Sequence, residues 1–244
     1  MSDYIIEIKN VTKTFRITKR RGLSRFLDVY NNSKNDRIKA LDNISFNVSK
    51  GEFIGIIGLN GSGKTTLLQI IAGIYQPDQG EIHVRENLAP ILRIGAGFQQ
   101  ELVPKENIIM YGMLLGLSKS EIISKVDDIL KFAELEKFSS MKLKHFSSGM
   151  KSRLAVSTVF QLNPEILLLD EILAVGDINF RDKCIKSFLS FKNSGKTILH
   201  ATHSINMLKQ LCDRAVLLHM GKILEIGEPE NVIQKYKEIS NQNK

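Results

Sequence analysis

Short apolar, β-rich runs alternate with helical patterns along most of the chain. Tyr4–Lys9 and Asn43–Val48 read as strands, and Phe53–Gly58 is the mostly apolar run of a buried strand. A helix is predicted from Lys64 to Gly73. The turn composition of Gln76-Pro77-Asp78-Gln79-Gly80 then separates it from an alternating strand at Glu81–Val84. Helices follow: Glu106–Leu115, a run over Lys119–Phe132 opened by a Ser118-x-x-Glu121 capping box, and one over about Ser148–Leu162. Strands return at Ile166–Asp170, Lys196–Ala201 and Ala215–His219, with helical patterns between them. Strands alternating with helices predict a largely parallel sheet, and the helix-only middle, about residues 104–160, reads as a subdomain inserted into it. No internal repeat is visible.

Composition changes this picture little. A chain of 244 residues and 27.5 kDa that is 43% apolar and 25% charged is ordinary globular material. At this size about 70–75% of the unfolded surface is buried without any staple. Cys184 and Cys212 form no CxxC, so neither zinc nor redox chemistry is readable and buried free thiols are expected. The longest apolar stretch, Ile108–Leu117, is ten residues with two Gly, short of the roughly 20 that cross a bilayer. The opening MSDYIIEIKN has no signal-peptide pattern, and a cytosolic chain is expected.

Charge changes it more. The net charge is +8, and the segment Arg16–Lys39 alone carries eight basic residues against Asp28 and Asp36. One local basic surface is implied, not a uniformly nucleic-acid-binding protein. Within it Leu23, Phe26, Leu27 and Tyr30 share one helical face, flanked by Arg20, Arg21, Arg25 and Asp28. Such a helix suits an anionic membrane surface, where each Lys or Arg contributes about 1 kcal/mol. The alternative is a surface loop whose apolar side packs on its own domain; no nucleic-acid partner is expected.

Gly58-Leu59-Asn60-Gly61-Ser62-Gly63-Lys64-Thr65 fits the phosphate-binding loop, Gly-x4-Gly-Lys-Thr, and stands between a buried strand and a helix. Glycines allow backbone N–H groups to face phosphates, Lys64 reaches the β and γ phosphates, and the Thr65 hydroxyl ligates magnesium. The strand Ile166–Leu169 ends in Asp170, placed to hold the magnesium ion, and in Glu171, which can reach an attacking water as general base. Without the loop, that acidic pair would read as a strand end meeting solvent.

Further segments follow in order: Phe15 after the first strand, Phe98-Gln99, His145-Phe146-Ser147-Ser148-Gly149-Met150-Lys151, Ala174-Val175-Gly176-Asp177 and Thr202-His203. Together these resemble the ATP-binding subunit of an ABC transporter, over residues 4 to about 228. In the family signature, more often LSGGQ, Phe146 here stands for Leu, Ser148 for the first Gly and Met150 for Gln. The resemblance implies an α/β P-loop NTPase fold, one ABC-type domain over residues 1–244. Its RecA-like core would span about 1–100 and 163–228, with an N-terminal antiparallel β region and an α-helical subdomain at about 104–160. The basic insertion lies at about 16–39 and a C-terminal helix at about 229–241.

The resemblance also implies roles. Phe15 would stack on adenine, and Gly58, Asn60, Gly61, Ser62, Gly63, Lys64, Thr65 and Thr66 would bind nucleotide. Ser147 and Gly149 would reach the γ-phosphate presented by the other subunit of a homodimer. Lys64, Gln99, Glu171 and His203 would be catalytic, and Thr65, Gln99 and Asp170 would hold Mg2+. Gln100 remains the alternative register for Gln99. Taken singly, Phe15 is an ordinary aromatic, Gln99 a loop residue and His203 a polar strand end.

The insertion, the signature Ser-Ser-Gly-Met-Lys-Ser-Arg-Leu, Gly95-Ala96-Gly97-Phe98 and Leu173-Ala174-Val175-Gly176-Asp177 resemble the branch that exports lipid-linked polysaccharides: O-antigen, capsule and teichoic acid. Polytopic permease subunits, an anionic membrane surface met by residues 16–39, and a peripheral location on the cytoplasmic face of the plasma membrane are implied. Some members append a carbohydrate-binding domain, and none is visible before Ser240-Asn241-Gln242-Asn243-Lys244. The alternatives are the ATPase of another ABC exporter, a soluble ABC ATPase acting on nucleic acid, and an ordinary phosphate-loop kinase.

Overall fold

The computed structural model describes residues 4–16, 37–91, 97–170 and 177–242. Most of the basic insertion, with Leu23, Phe26, Leu27 and Tyr30, lies outside the described residues, as do Glu171 and Ala174–Gly176. Strands β1 (Tyr4–Arg16), β2 (Arg37–Ser49), β3 (Phe53–Ile57), β4 (Gln79–Val84) and β5 (Leu88–Ile91) come first, with helix α1 (Lys64–Ile71) after β3. Helices α2 (Pro104–Leu114), α3 (Lys119–Ala133) and α4 (Ser148–Leu162) follow. Then come β6 (Ile166–Asp170), α5 (Ile178–Asn193), β7 (Thr197–Ala201), α6 (Ile205–Leu211), β8 (Arg214–His219), β9 (Lys222–Gly227) and α7 (Pro229–Gln242).

Two sheets form. The larger has the order β5-β6-β7-β3-β8-β9, parallel except for the antiparallel β8–β9 hairpin. The smaller is antiparallel, β2-β1-β4. Period-two alternation explains how they stack. On β3, Ile54 and Ile56 join Leu168, Leu199 and Val216 in a core shared with β1, β2 and α1. Phe53 faces the other way, to Leu167, Leu169, Ile198 and the α5 residues Phe180 and Phe188. Buried β3 and the buried first four residues of β6 therefore read as mostly apolar runs, whereas β7 buries Thr197 and His200 among its apolar residues.

Helices α2, α3 and α4 build their own core around Ile108, Ile122, Ile129, Leu130, Leu143 and Leu154. The Ser118–Glu121 capping box opens α3: Ser118 N–H donates to Glu121 Oε2 at 2.9 Å, and Glu121 N–H to Ser118 Oγ at 3.4 Å. Among the described residues no helix is long and apolar enough to cross a membrane. Both cysteines are free, and burial pushes each thiol up to about 12.

The first two strands are longer than their apolar runs suggest, because each is completed by the other through a ladder from Tyr4–Ser49 to Arg16–Arg37. Strands β5 and β9 were not legible as separate strands. Both are edges of the larger sheet, and β5 contains Pro90, which an edge tolerates.

Candidate functional site

The parallel strands point their carboxyl ends to one edge of the sheet, the place where open α/β sheets bind ligands. Three of them carry the expected residues: β3 leads into Gly58–Thr66, β6 ends at Asp170 and β7 leads into Thr202-His203. Strand β7 lies between β3 and β6, so their ends are roughly 9–10 Å apart at ordinary strand spacing. Helix α1 closes that gap: Thr65 Oγ1 donates to Asp170 Oδ2 at 2.7 Å.

The loop itself is built by close approaches. A Cβ on Gly58 would stand 2.2 Å from the Leu218 carbonyl oxygen and 2.5 Å from Ser62 Oγ. Gly63 opens α1 in the left-handed region at φ 108°, and a Cβ there would meet the Ala40 carbonyl at 2.6 Å. The N-cap residue of α1, Gly63, has no side chain to cap the helix, which leaves its first-turn N–H groups for another acceptor. Lys64 is buried, and its ammonium donates to the carbonyls of Gly58 at 2.9 Å and Leu59 at 3.2 Å. Ser62 Oγ is buried with no hydrogen-bond partner among the described residues. Asn60, Gly61, Ser62, Gly63, Lys64, Thr65 and Thr66 line a cavity of about 430 Å³ together with Ile38, Lys39, Ala40 and Met220.

The other expected residues stand outside that lining. Phe15 packs edge-on against Tyr75 at 5.3 Å and is paired across the ladder with Ile38, a wall of the cavity. His203 is exposed. Its flanks are fixed, because Thr202 N–H donates to the Ile56 carbonyl at 3.0 Å and Ser204 N–H to Thr202 Oγ1 at 3.0 Å. Ser147 caps α4, accepting from Met150 N–H at 3.2 Å, and is exposed, with half-buried Gly149 in the first turn. Neither belongs to the lining of this chain's own cavity.

Gln99 and Gln100 separate clearly. Lys151 Nζ donates to Gln100 Oε1 at 2.7 Å and Lys144 N–H to the Gln100 carbonyl at 2.8 Å. The exposed Gln99 side chain makes no hydrogen bond among the described residues, while its backbone is held by buried Asn107. Sequence reading missed Asn107, Lys151, Ile38 and Met220. The only signal for Asn107 was a polar residue in the first turn of a helix opened by Pro104.

Asp177 caps α5, accepting from Phe180 N–H at 2.9 Å, and pairs with Arg153 of α4. The Phe180 N–H and then the Arg153 charge hold its carboxyl below the ordinary range. Arg153 also donates to Glu134 Oε2 at 3.0 Å and lies 5.0 Å from the Phe180 ring. The signature helix is thus tied to the start of α5.

Comparison with known proteins gives the same picture. A family described as ABC transporter matches residues 41–174. The O-antigen export system ATP-binding protein RfbB of Klebsiella pneumoniae is 37% identical over 241 residues, covering 96% of this chain and 98% of that one. The teichoic acids export ATP-binding protein TagH of Bacillus cereus is 37% identical over 236 residues, and the chain spans only 43% of its length. Among solved structures, the dimeric post-hydrolysis state of the ATP-binding cassette MJ0796 bound to ADP and Pi superposes with a TM-score of 0.75 at 25% identity. It covers 92% of this chain and 98% of that one.

Proposed function

The chain belongs to the ABC transporter family, and from that premise we propose that it is the ATP-hydrolysing subunit of a lipid-linked polysaccharide exporter. It works as a homodimer on the cytoplasmic face of the membrane, under separate permease subunits. The observation that carries the ATPase reading is the meeting of Thr65 and Asp170 beside buried Lys64.

That arrangement fits Mg2+. A neutral and an anionic oxygen 2.7 Å apart approximate one edge of an octahedron, about 2.9 Å long when the metal–oxygen distances are 2.0–2.1 Å. When bound, Mg2+ neutralises charge on the β and γ phosphate oxygens. Thr65, Asp170 and Gln99 would hold it. Lys64 would exchange its two carbonyl acceptors for phosphate oxygens, which form stronger, charge-assisted bonds. The loop N–H groups and Ser62 Oγ would take the remaining phosphate oxygens, and Phe15 and Ile38 would flank the base. Glu171, one residue beyond Asp170, would take the proton of the attacking water, and His203 would stand by the γ-phosphate. Ser147 and Gly149 lie outside their own cavity, which suits donation to the cavity of a second, head-to-tail copy.

The substrate reading draws on the relatives, named for teichoic acid and O-antigen export, and on the shared loop sequences. The permease reading draws on an open, largely apolar groove of about 750 Å³ that includes Ile74, Tyr75, Leu88, Tyr111 and Leu114. Phosphate release by the purified chain tests the reading. Lys64→Ala should lose nucleotide affinity or turnover. Glu171→Gln should bind ATP, turn over at least tenfold more slowly and run as a dimer in light scattering. Cells lacking the chain should retain lipid-linked glycan on the cytoplasmic leaflet; normal export would overturn the substrate assignment.

A further inference from the structure

Gln99 has its backbone clamped and its side chain in solvent. Its N–H donates to Asn107 Oδ1 at 2.6 Å, and its carbonyl accepts from Asn107 Nδ2 at 3.1 Å. One side-chain amide thus makes to Gln99 the two bonds that a neighbouring strand would make. The same Nδ2 reaches the carbonyls of Leu102 at 3.3 Å and Val103 at 3.2 Å. Asn107 is 0% exposed, so every polar atom of its amide is committed to residues 99–103. An asparagine that merely opened α2 would spend its bonds on the helix's own first turn. Here the shortest bond goes to Gln99, outside the helix.

Both neighbours of Gln99 are anchored as well. Phe98 is buried edge-on against Tyr111 at 5.5 Å, and Gln100 is held by Lys151 and Lys144. A backbone fixed on every side with an uncommitted side chain is how a functional group is held ready for its ligand.

We propose that Asn107 is a positioning residue for ATP hydrolysis, its amide fixing the Gln99 backbone so that the Gln99 side chain meets the bound nucleotide and its metal in one geometry. The proposal rests on the reading of Gln99 as a residue of the nucleotide site. A displacement of about 1 Å at such a group costs up to about a hundredfold in rate, so loss of the clamp should be visible in turnover.

The test is a double-mutant cycle on the full chain, read as ATP turnover, binding of a fluorescent ATP analogue and thermal unfolding. Asn107→Asp keeps the shape and the acceptor for Gln99 N–H but loses the donors; it should lower kcat about tenfold or more and leave analogue affinity within about threefold. In a Gln99→Ala background the same substitution should change kcat less than about twofold. An equal fall in both backgrounds means that Asn107 acts on the fold alone, and overturns the proposal. Wild-type kcat in Asn107→Asp overturns it too. Wild-type kcat in Gln99→Ala itself removes the premise, a failure distinct from that of the clamp. Should Asn107→Asp fail to fold, Asn107→Ser, which keeps a hydroxyl donor and acceptor, carries the same cycle with the same outcomes.

Discussion

His200, in the middle of β7, is 1% exposed, and neither ring nitrogen has a hydrogen-bond partner among the described residues. It lies against the Phe188 ring, centroids 6.4 Å apart and planes 23° from parallel. Burial lowers its pKa from 6.5 to about 4. As pH falls below 6.5 the unfolded chain takes up a proton that the folded chain refuses. Stability therefore drops, by up to about 1.4 kcal/mol per pH unit, until the folded imidazole titrates as well. The full difference is about 3 kcal/mol. Asp42, Asp78, Glu101, Glu121 and Asp177 have carboxyls held below their ordinary range, so their contributions are complete above that range and are lost only as pH falls through it. Between pH 6.5 and 5 the acid loss thus isolates His200, at about 2 kcal/mol or about 4–8 °C in Tm for a domain of this size. His200→Leu should remove it. Urea unfolding of both proteins across pH 5–7.5 should give a stability difference, wild type minus variant, that falls steadily on acidification below 6.5 and is flat above 7. At neutral pH the variant should be at least as stable, since two unpartnered nitrogens leave the core. Parallel curves would refute the reasoning, and wild type gaining on acidification would mean that the imidazolium has a partner inside the fold.

Gly58→Ala should cost about 1–3 kcal/mol and abolish nucleotide binding, because the new Cβ meets a backbone carbonyl at 2.2 Å and a flexible side chain cannot relieve that clash; thermal unfolding and nucleotide titration check it. Arg153→Ala should loosen the start of α5, read as faster amide exchange at Phe180, since Asp177 loses its cation and Phe180 its cover; unchanged exchange would show that the cap alone holds the turn. Leu23→Glu with Phe26→Glu should abolish export in cells while ATPase activity barely changes. Serine at Arg20, Arg21 and Arg25 should weaken binding to anionic liposomes, most strongly at low salt; unaffected liposome binding would remove the membrane role of the insertion.

Local chemistry was legible in the sequence wherever the answer depended on neighbours within one turn. The loop Gly58–Thr65, the Ser118–Glu121 box and the strand ending at Asp170 each carry their geometry in a few consecutive residues. What was not legible depended on partners far along the chain. Sequence favours Gln99 but leaves Gln100 as an alternative register, and the structure separates them through Lys151, 51 residues away from Gln100. Asn107 looks like a polar residue at a helix start until the chain reverses and brings the Gln99 backbone against it. Strand β5 contains a proline and only four residues, and it exists because β6 offers it a parallel edge. Met220 sits at φ 47°, where Asn or Gly is the usual choice, and only the hairpin's approach to the loop shows that its side chain walls the cavity.

The bonds that hold the site in place are not the bonds that its function would change. Thr202 N–H to the Ile56 carbonyl at 3.0 Å, Gly221 N–H to the Ser62 carbonyl at 3.0 Å and Asp42 N–H to the Gly221 carbonyl at 2.8 Å tie the strand ends, the loop and the β8–β9 hairpin together, backbone to backbone. Several groups assigned to the nucleotide act through side chains: the Lys64 ammonium on the Gly58 and Leu59 carbonyls, the Thr65 hydroxyl on Asp170, and the Gln99 amide in solvent. An ammonium gains by trading carbonyl acceptors for phosphate oxygens, whereas the backbone bonds beneath it lose nothing in the exchange. Binding and release can therefore recur on a fixed frame. The same logic makes the Asn107 amide informative: its bonds run to backbone alone and end at a residue assigned to the nucleotide.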